Sequence, residues 1–143
     1  MLYDTFMDWF AGSWNNQHQA YSNPRGQSFI NVRHRLVSDR VFSCTYTVHR
    51  QRHPYRNIDC TVFHNDGRIV LRNPTMDLNF ALEHGTFVAK ERQIINGILH
   101  ISEAYLNENT YNVVDMGIEV STGDKKWGLD AGEWYQFDRV GKA

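Results

Sequence analysis

The segment His49-Arg50-Gln51-Arg52-His53-Pro54-Tyr55-Arg56 gathers three arginines and two histidines around one proline and one tyrosine. A guanidinium fork binds a carboxylate or phosphate through two parallel hydrogen bonds, which an ammonium point charge cannot reproduce. Tyr55 beside such forks offers a ring face for a planar ligand and a hydroxyl that can bond it. Arg50, Arg52 and Arg56 therefore read as a cationic rim at the mouth of a pocket for an anionic, partly apolar molecule. Charge content alone is also met by a solvated loop.

Two acids stand out by placement. Glu103 in Ser102-Glu103-Ala104-Tyr105 and Asp115 in Val113-Val114-Asp115-Met116-Gly117 both interrupt apolar alternation. A carboxylate pointing into a folded interior needs a partner, or it takes up a proton. Arg56 or a cationic ligand would serve. Val113-Val114 breaks strict period two, so an outward-facing Asp115 fits the pattern as well.

Other chemistries find less support. None of the seven histidines sits in a His-x-x-x-His or Glu-x-x-His spacing on a helix, and His49 and His53, four apart, flank a loop whose arginines would repel a metal cation. There is no Gly-rich phosphate loop and no Gly-x-Ser-x-Gly elbow. Cys44 and Cys60 lie in strand-like apolar runs, where a thiol is ordinarily buried, unpaired and inert. Tyr46, Tyr55 and Phe63 among arginines could stack bases of a single strand. The net charge of −1 argues against nucleic acid, whose binders are strongly basic.

The elements that must position these residues follow from composition and periodicity. At 143 residues with 41% apolar and 13% aromatic content, the chain reads as one folded domain, residues 1–143. Residues 1–72 hold nine Arg and no Lys against five acids, a balance of +4, while residues 73–143 balance to −5. Eleven of the fifteen cations are Arg, which suits carboxylate or phosphate recognition. No run approaches the roughly 20 apolar residues of a membrane span, and the N-terminus lacks the charged start of a leader. A cytoplasmic protein with no membrane partner is expected.

Leu2, Phe6, Trp9 and Phe10 fall at helical spacing opposite Asp4 and Asp8, predicting a helix that ends near Gly12. Ser13 reads as the N-cap of a second helical piece to about Tyr21, closed by Asn23-Pro24. Its amides, Asn15, Asn16, Gln17 and Gln19, either face water or satisfy buried polar groups. Period two then takes over. Strands are predicted at 29–37, 41–48, 58–64, 68–72, 86–90, 98–106, 110–120 and 134–140. The turns are Ser38-Asp39, Asn65-Asp66-Gly67, Asn96-Gly97, Glu108-Asn109, Thr122-Gly123-Asp124 and Ala131-Gly132. This is an all-β pattern, an antiparallel sheet curled into a barrel of roughly eight to ten strands able to hold one small ligand. The N-terminal helix would pack on the sheet or cover an open end.

Several segments together resemble a known family. Asn15-Asn16-Gln17-His18-Gln19-Ala20-Tyr21-Ser22-Asn23-Pro24 is similar to the Ser-Asn-x-x-Gln-Ala-x-x-Asn-Pro signature of the T-type phycobiliprotein lyases. Pro54-Tyr55-Arg56, Asp66-Gly67-Arg68-Ile69, the hairpin from Ser102-Glu103 to Asp115, and Trp127-Gly128 through Ala131-Gly132 match further family segments in order. Cyanobacterial members are longer by some tens of residues between about Asn79 and Leu99, and lack of that part resembles the copies carried by cyanophages.

The resemblance implies a calycin-like (lipocalin-like) barrel, often a homodimer, with a bilin in its mouth. It implies attachment of that linear tetrapyrrole, phycoerythrobilin or phycocyanobilin, to a cysteine of a phycobiliprotein β-subunit, with a bilin reductase as supplier. Tyr55, Arg56 and Asp115 match the family's chromophore contacts. Asp115 would hold the pyrrole N–H groups protonated, in the catalytic role, while Arg56, Arg50 and Arg52 would take the propionates. Asn16, Gln19, Glu103 and Trp127 complete the candidate ligand contacts, with no metal. Two other functions remain open: a bilin chaperone that never forms the thioether, and a lipocalin-like carrier of another anionic hydrophobe.

Overall fold

The computed structural model describes residues 2–129 and 133–142. Helix α1 (Leu2–Phe10) leads into strand β1 (Gly12–Asn15) and helix α2 (Gln17–Ser22). Ten strands follow: β2 (Ile30–Ser38), β3 (Val41–Val48), β4 (Arg56–Asn65), β5 (Arg68–Arg72), β6 (Asp77–Glu83), β7 (Thr86–Ile95), β8 (Ile98–Leu106), β9 (Thr110–Glu119), then β10 (Lys125–Trp127) and β11 (Tyr135–Gly141). All pair in one antiparallel sheet, ordered β10-β9-β11-β1-β2-β3-β4-β5-β6-β7-β8. Because β8 also pairs with β9, ten strands close into a ring. The remaining strand, β10, lies on β9 beyond the end of β11, at Gly117 and Ile118. The expected antiparallel barrel is therefore what forms, with every edge but the short β10 paired.

Hairpins of adjacent strands build most of the ring. Asp66-Gly67, His84-Gly85 and Asn96-Gly97 all have positive φ at both residues, the type I′ geometry that matches the right-handed twist of the flanking strands. Period two then directs alternate residues inward. Phe42 and Cys44 on β3, Cys60 and Val62 on β4, Phe80 on β6, Phe87 on β7 and Leu106 on β8 form one core.

α1 closes one end of this ring. Phe6 and Phe10, one turn apart, are both buried. Phe6 meets Phe80 and Phe87 at 5.0 and 5.2 Å, while Phe10 meets Phe42 and Tyr111 at 5.0 and 5.8 Å. The helix thus touches strands on several sides at once and stops the barrel with aromatic side chains. Arg139 on β11 seals the helix C-terminus. Its guanidinium donates to the carbonyls of Ala11 (2.9 Å) and Trp9 and lies 4.2 Å from the Trp14 ring centroid. A cation at that end satisfies carbonyls that the helix leaves unpaired.

Several expectations are corrected. Ser13 is no N-cap: it lies in β1, paired with Arg33 and Gly141, and the helix begins only at Gln17. Gly12–Asn15 is the strand that joins β2 to β11, so barrel closure overrides the local capping signal. β6 and β10 were not anticipated, and β7 runs five residues further than 86–90. The Ala131-Gly132 turn lies outside the described residues. Among the described residues, no helix is long and apolar enough to cross a membrane.

Candidate functional site

The end opposite α1 is open. Its rim is set by β3 and β4, which pair with Tyr46 opposite Arg56, Cys44 opposite Ile58 and Phe42 opposite Cys60. Going down this ladder runs from the mouth to the aromatic floor. Arg56 is therefore not a loop residue, as the proline before it suggested, but the first residue of a strand. Tyr55 precedes it and is 57% exposed.

Arg56 and Asp115 meet across the opening. Arg56 Nη1 donates to Asp115 Oδ2 at 3.3 Å, and Trp127 Nε1 donates to Asp115 Oδ1 at 3.3 Å. Both carboxylate oxygens are thus engaged, one by a guanidinium and one by an indole. The Arg56 guanidinium also stands 5.5 Å from the Tyr46 ring centroid. Tyr46 and Tyr55 approach at 6.3 Å, which gives the cation an aromatic flank. Asp115 faces inward, on the same face of β9 as the buried Tyr111 and the cavity-lining Val113.

Two glycines allow Trp127 to lie there. A Cβ on Gly117 would come within 2.4 Å of the Trp127 ring. Gly128 has φ +100°, and a Cβ there would meet the Asp115 carbonyl oxygen at 2.5 Å. The indole accordingly rests on β9, edge-on to His100 at 5.0 Å, with 36% of the residue still exposed.

Beneath this group is a cavity of about 210 Å³ lined by aromatic, aliphatic and thiol side chains, with Phe10, Leu71 and Leu78 toward the floor. A second recess of about 340 Å³ shares Arg56, Asn73, Ser102, Asp115 and Trp127 and adds His100, Thr75 and Met76. Pockets for drug-sized ligands span about 300–1,000 Å³. A large ligand must therefore straddle the Arg56–Asp115–Trp127 group, using both spaces. Burial pushes the phenols of Tyr46 and Tyr111 up, and burial with the Asp115 charge does the same for Tyr135. All three phenols enter the cavity neutral, as hydrogen-bond donors in an apolar wall.

The remaining candidates are dispersed. Arg50 and Arg52 sit on the exposed turn after β3 and line neither space. Asn16 is fully buried and structural: its amide nitrogen donates to the Ser28 carbonyl at 2.8 Å, and its oxygen accepts from the Ile30 N–H at 2.7 Å. Gln19 likewise ties α2 to β11, donating to the Trp134 carbonyl and accepting from the Gln136 N–H at 3.0 Å. These two amides satisfy backbone groups where chains cross, and neither lines the cavity. Glu103 borders the cavity, but Ala104 and Leu106 on β8 point into the core. The Glu103 carboxylate is on the opposite face, accepting from the Tyr105 hydroxyl at 3.2 Å. Tyr46, Tyr135, His100 and Gly117 were not singled out as contacts, since their convergence depends on barrel closure. Among the described residues, no three His, Cys, Asp or Glu side chains converge as a metal site requires.

No family model matches the sequence and no curated protein matches it. Solved structures do. The T-type phycobiliprotein lyase CpeT from Prochlorococcus phage P-HM1 superposes with a TM-score of 0.81 and 25% identity, covering 96% of this chain and 97% of that one. The CRL protein of Arabidopsis has a TM-score of 0.77 at 12% identity, covering 97% of each chain, which shows a shared fold. Over nearly its whole length, and not in short motifs alone, the chain resembles the T-type phycobiliprotein lyases, in the form that a phage encodes.

Proposed function

We propose that this protein binds a bilin in the open end of the barrel and assists its thioether attachment to a cysteine of a phycobiliprotein β-subunit. The observation that carries this is the Arg56–Asp115–Trp127 group over a partly apolar cavity, in a fold shared with a T-type lyase. A bilin has two propionates and four ring nitrogens on a flat conjugated body. The Arg56 fork takes a propionate. Asp115, released from that fork, accepts from the pyrrole N–H groups and favours their protonated, cationic form. Protonation draws electrons from the ethylidene group and makes its carbon a better target for the acceptor thiolate. Tyr55 and Trp127 supply ring faces at the mouth. The contribution of the chain is positioning and exclusion of water.

Phycoerythrobilin is the first pigment to test, then phycocyanobilin. The reading brings with it a bilin reductase as supplier, a homodimer, and a setting in the cytoplasm of a cyanobacterium or of one infected by phage. A visible absorption titration with each free bilin tests it: binding sharpens and red-shifts the long-wavelength band, and an unchanged spectrum refutes it. Adding apo β-subunit to the loaded protein then separates a lyase, which leaves a covalent pigment band on the β-subunit, from a chaperone, which leaves none.

A further inference from the structure

Non-covalent bilin binding leaves two nucleophiles of the cavity without a task. Cys44 and Cys60 are free, buried and lining the cavity, with Sγ atoms 3.9 Å apart. Cys44 lies opposite Ile58 and Cys60 opposite Phe42, so the two are diagonal neighbours rather than a directly facing pair. Diagonal positions on antiparallel strands are about 7–8 Å apart, whereas a disulfide asks for Cα atoms roughly 4.4–6.8 Å apart. The register suits two thiols in hydrogen-bond contact better than a crosslink.

The pair is polarised. Cys44 donates its S–H toward the Cys60 sulfur. That bond pulls the Cys60 thiol down against the opposing effect of burial, with Arg56 helping, and pushes Cys44 up. Cys60 is the more acidic thiol of the pair, and the thiolate is the nucleophile. Depth is suitable as well. Cys60 is four residues along β4 from Arg56, about 13 Å at roughly 3.3 Å per residue. A tetrapyrrole gripped by a propionate at the rim extends an end ring toward that floor.

We propose that Cys60 is an internal acceptor thiol, adding to the exocyclic ethylidene group of a bilin held in this cavity, with Cys44 as the hydrogen-bond donor that prepares it. The sulfur forms a bond to the ethylidene carbon as the exocyclic double bond is consumed. The thiol proton leaves to the solvent of the cavity mouth, and a proton is taken up by the adjoining ring carbon. This is an addition of S–H across a carbon–carbon double bond, in which nothing is oxidised or reduced. The inference rests on the bilin reading of the site and makes the chain itself a covalent pigment carrier.

The test incubates the full chain with phycoerythrobilin in the dark, records the visible spectrum, then denatures in acid urea and measures intact and tryptic masses. Wild type is expected to show the spectral shift and a mass gain of one pigment, mapped to the peptide of Cys60. Cys60→Ser and Cys60→Ala should keep the spectral shift and lose the adduct. Cys44→Ala, which removes the donor, should slow adduct formation about tenfold, the worth of one hydrogen bond to a charged group, whereas Cys44→Ser, which keeps an O–H donor, should not. A spectral shift with no mass gain overturns the acceptor role of Cys60 and leaves the bilin pocket standing. An adduct that survives Cys60→Ser, or that maps to Cys44, also overturns it. No spectral shift at all removes the bilin reading together with this inference.

Discussion

Arg56 on β4 and Asp115 on β9, 59 residues apart in sequence, meet at 3.3 Å from strands five steps apart in either direction around the ten-strand ring. They span the mouth along a diameter. Their side chains are 41% and 43% exposed, so water screens the pair and its worth to folding is at most about 1 kcal/mol. A pair of that kind is poorly explained by stability and well explained by a ligand that exchanges with it.

The first prediction concerns that exchange. Asp115→Asn keeps the shape and removes the charge, so unfolding free energy should stay within about 1 kcal/mol of wild type. The red shift of a bound bilin should be blunted, because an amide cannot hold the pyrrole N–H groups in the cationic form. Arg56→Ala should weaken binding about 10- to 100-fold, the worth of hydrogen bonds to a charged partner. Titration of both variants against wild type decides it. Unchanged spectra and affinities would place these residues outside the site.

A second prediction uses the glycine under the indole. In Gly117→Ala the new methyl would lie 2.4 Å from the Trp127 ring, a distance that van der Waals contact forbids, so the ring must lift away. The Trp127–Asp115 hydrogen bond is then lost. Tryptophan emission should move to longer wavelength relative to wild type, and the variant Trp127→Phe should abolish that difference. Bilin affinity should fall in both variants, while thermal stability changes little because this corner is half exposed. A Gly117→Ala protein with wild-type emission and affinity would show that the indole does not need this seat.

Much of the barrel was legible because β2 and β3 alternate apolar with polar residues as a half-buried strand does, and β5, β8 and β9 are apolar runs rich in Val, Ile, Leu and Tyr bounded by turn residues. Asp66-Gly67 and Asn96-Gly97 announce their hairpins for the same local reason. β6 was missed because Asp-Leu-Asn-Phe-Ala-Leu-Glu is poor in β-branched residues and its turn places His84, not Asn or Asp, before glycine. β1 was missed because four residues with one apolar side chain carry no period. In the site, the arginine-rich segment drew attention to Arg56, but adjacency in sequence wrongly grouped Arg50 and Arg52 with it. Strand geometry turns Arg56 into the mouth and leaves the other two on the preceding turn. The inward facing of Asp115 was beyond periodicity, since Val113-Val114 fits either face and only closure of the ring chooses.

The amide signature before Pro24 supplies a third prediction. Asn16 is 0% exposed and satisfies the Ile30 N–H and the Ser28 carbonyl. Asn16→Ala leaves those backbone groups unpaired beside the core, at a cost of about 2–4 kcal/mol. Urea unfolding should show a lower midpoint with little change in slope. Bilin affinity of the fraction that remains folded should equal that of wild type. A stable Asn16→Ala protein with lost binding would return Asn16 to the ligand site.

His34 sets the pH dependence of the fold. It is buried, stacked on Phe10 at 3.9 Å, with Nδ1 2.8 Å from the Phe10 carbonyl and Nε2 without a hydrogen-bond partner among the described residues. That geometry suits the neutral ring donating from Nδ1. Burial, aided by the Arg139 charge and opposed by the Phe10 bond, lowers its pKa from 6.5 to about 4. The unfolded chain therefore binds this proton first, and the folded chain only nearer pH 4. Stability from the neutral His34 is fully present above pH 6.5, declines as pH falls between 6.5 and about 4, and the total loss is about 3 kcal/mol. His34→Gln keeps a donor for the Phe10 carbonyl but cannot titrate. Urea unfolding of both proteins at pH 7.5 and pH 4.5 should show wild type losing more stability than the variant on acidification. Equal losses in the two proteins would mean that His34 is protonated in the folded state without penalty.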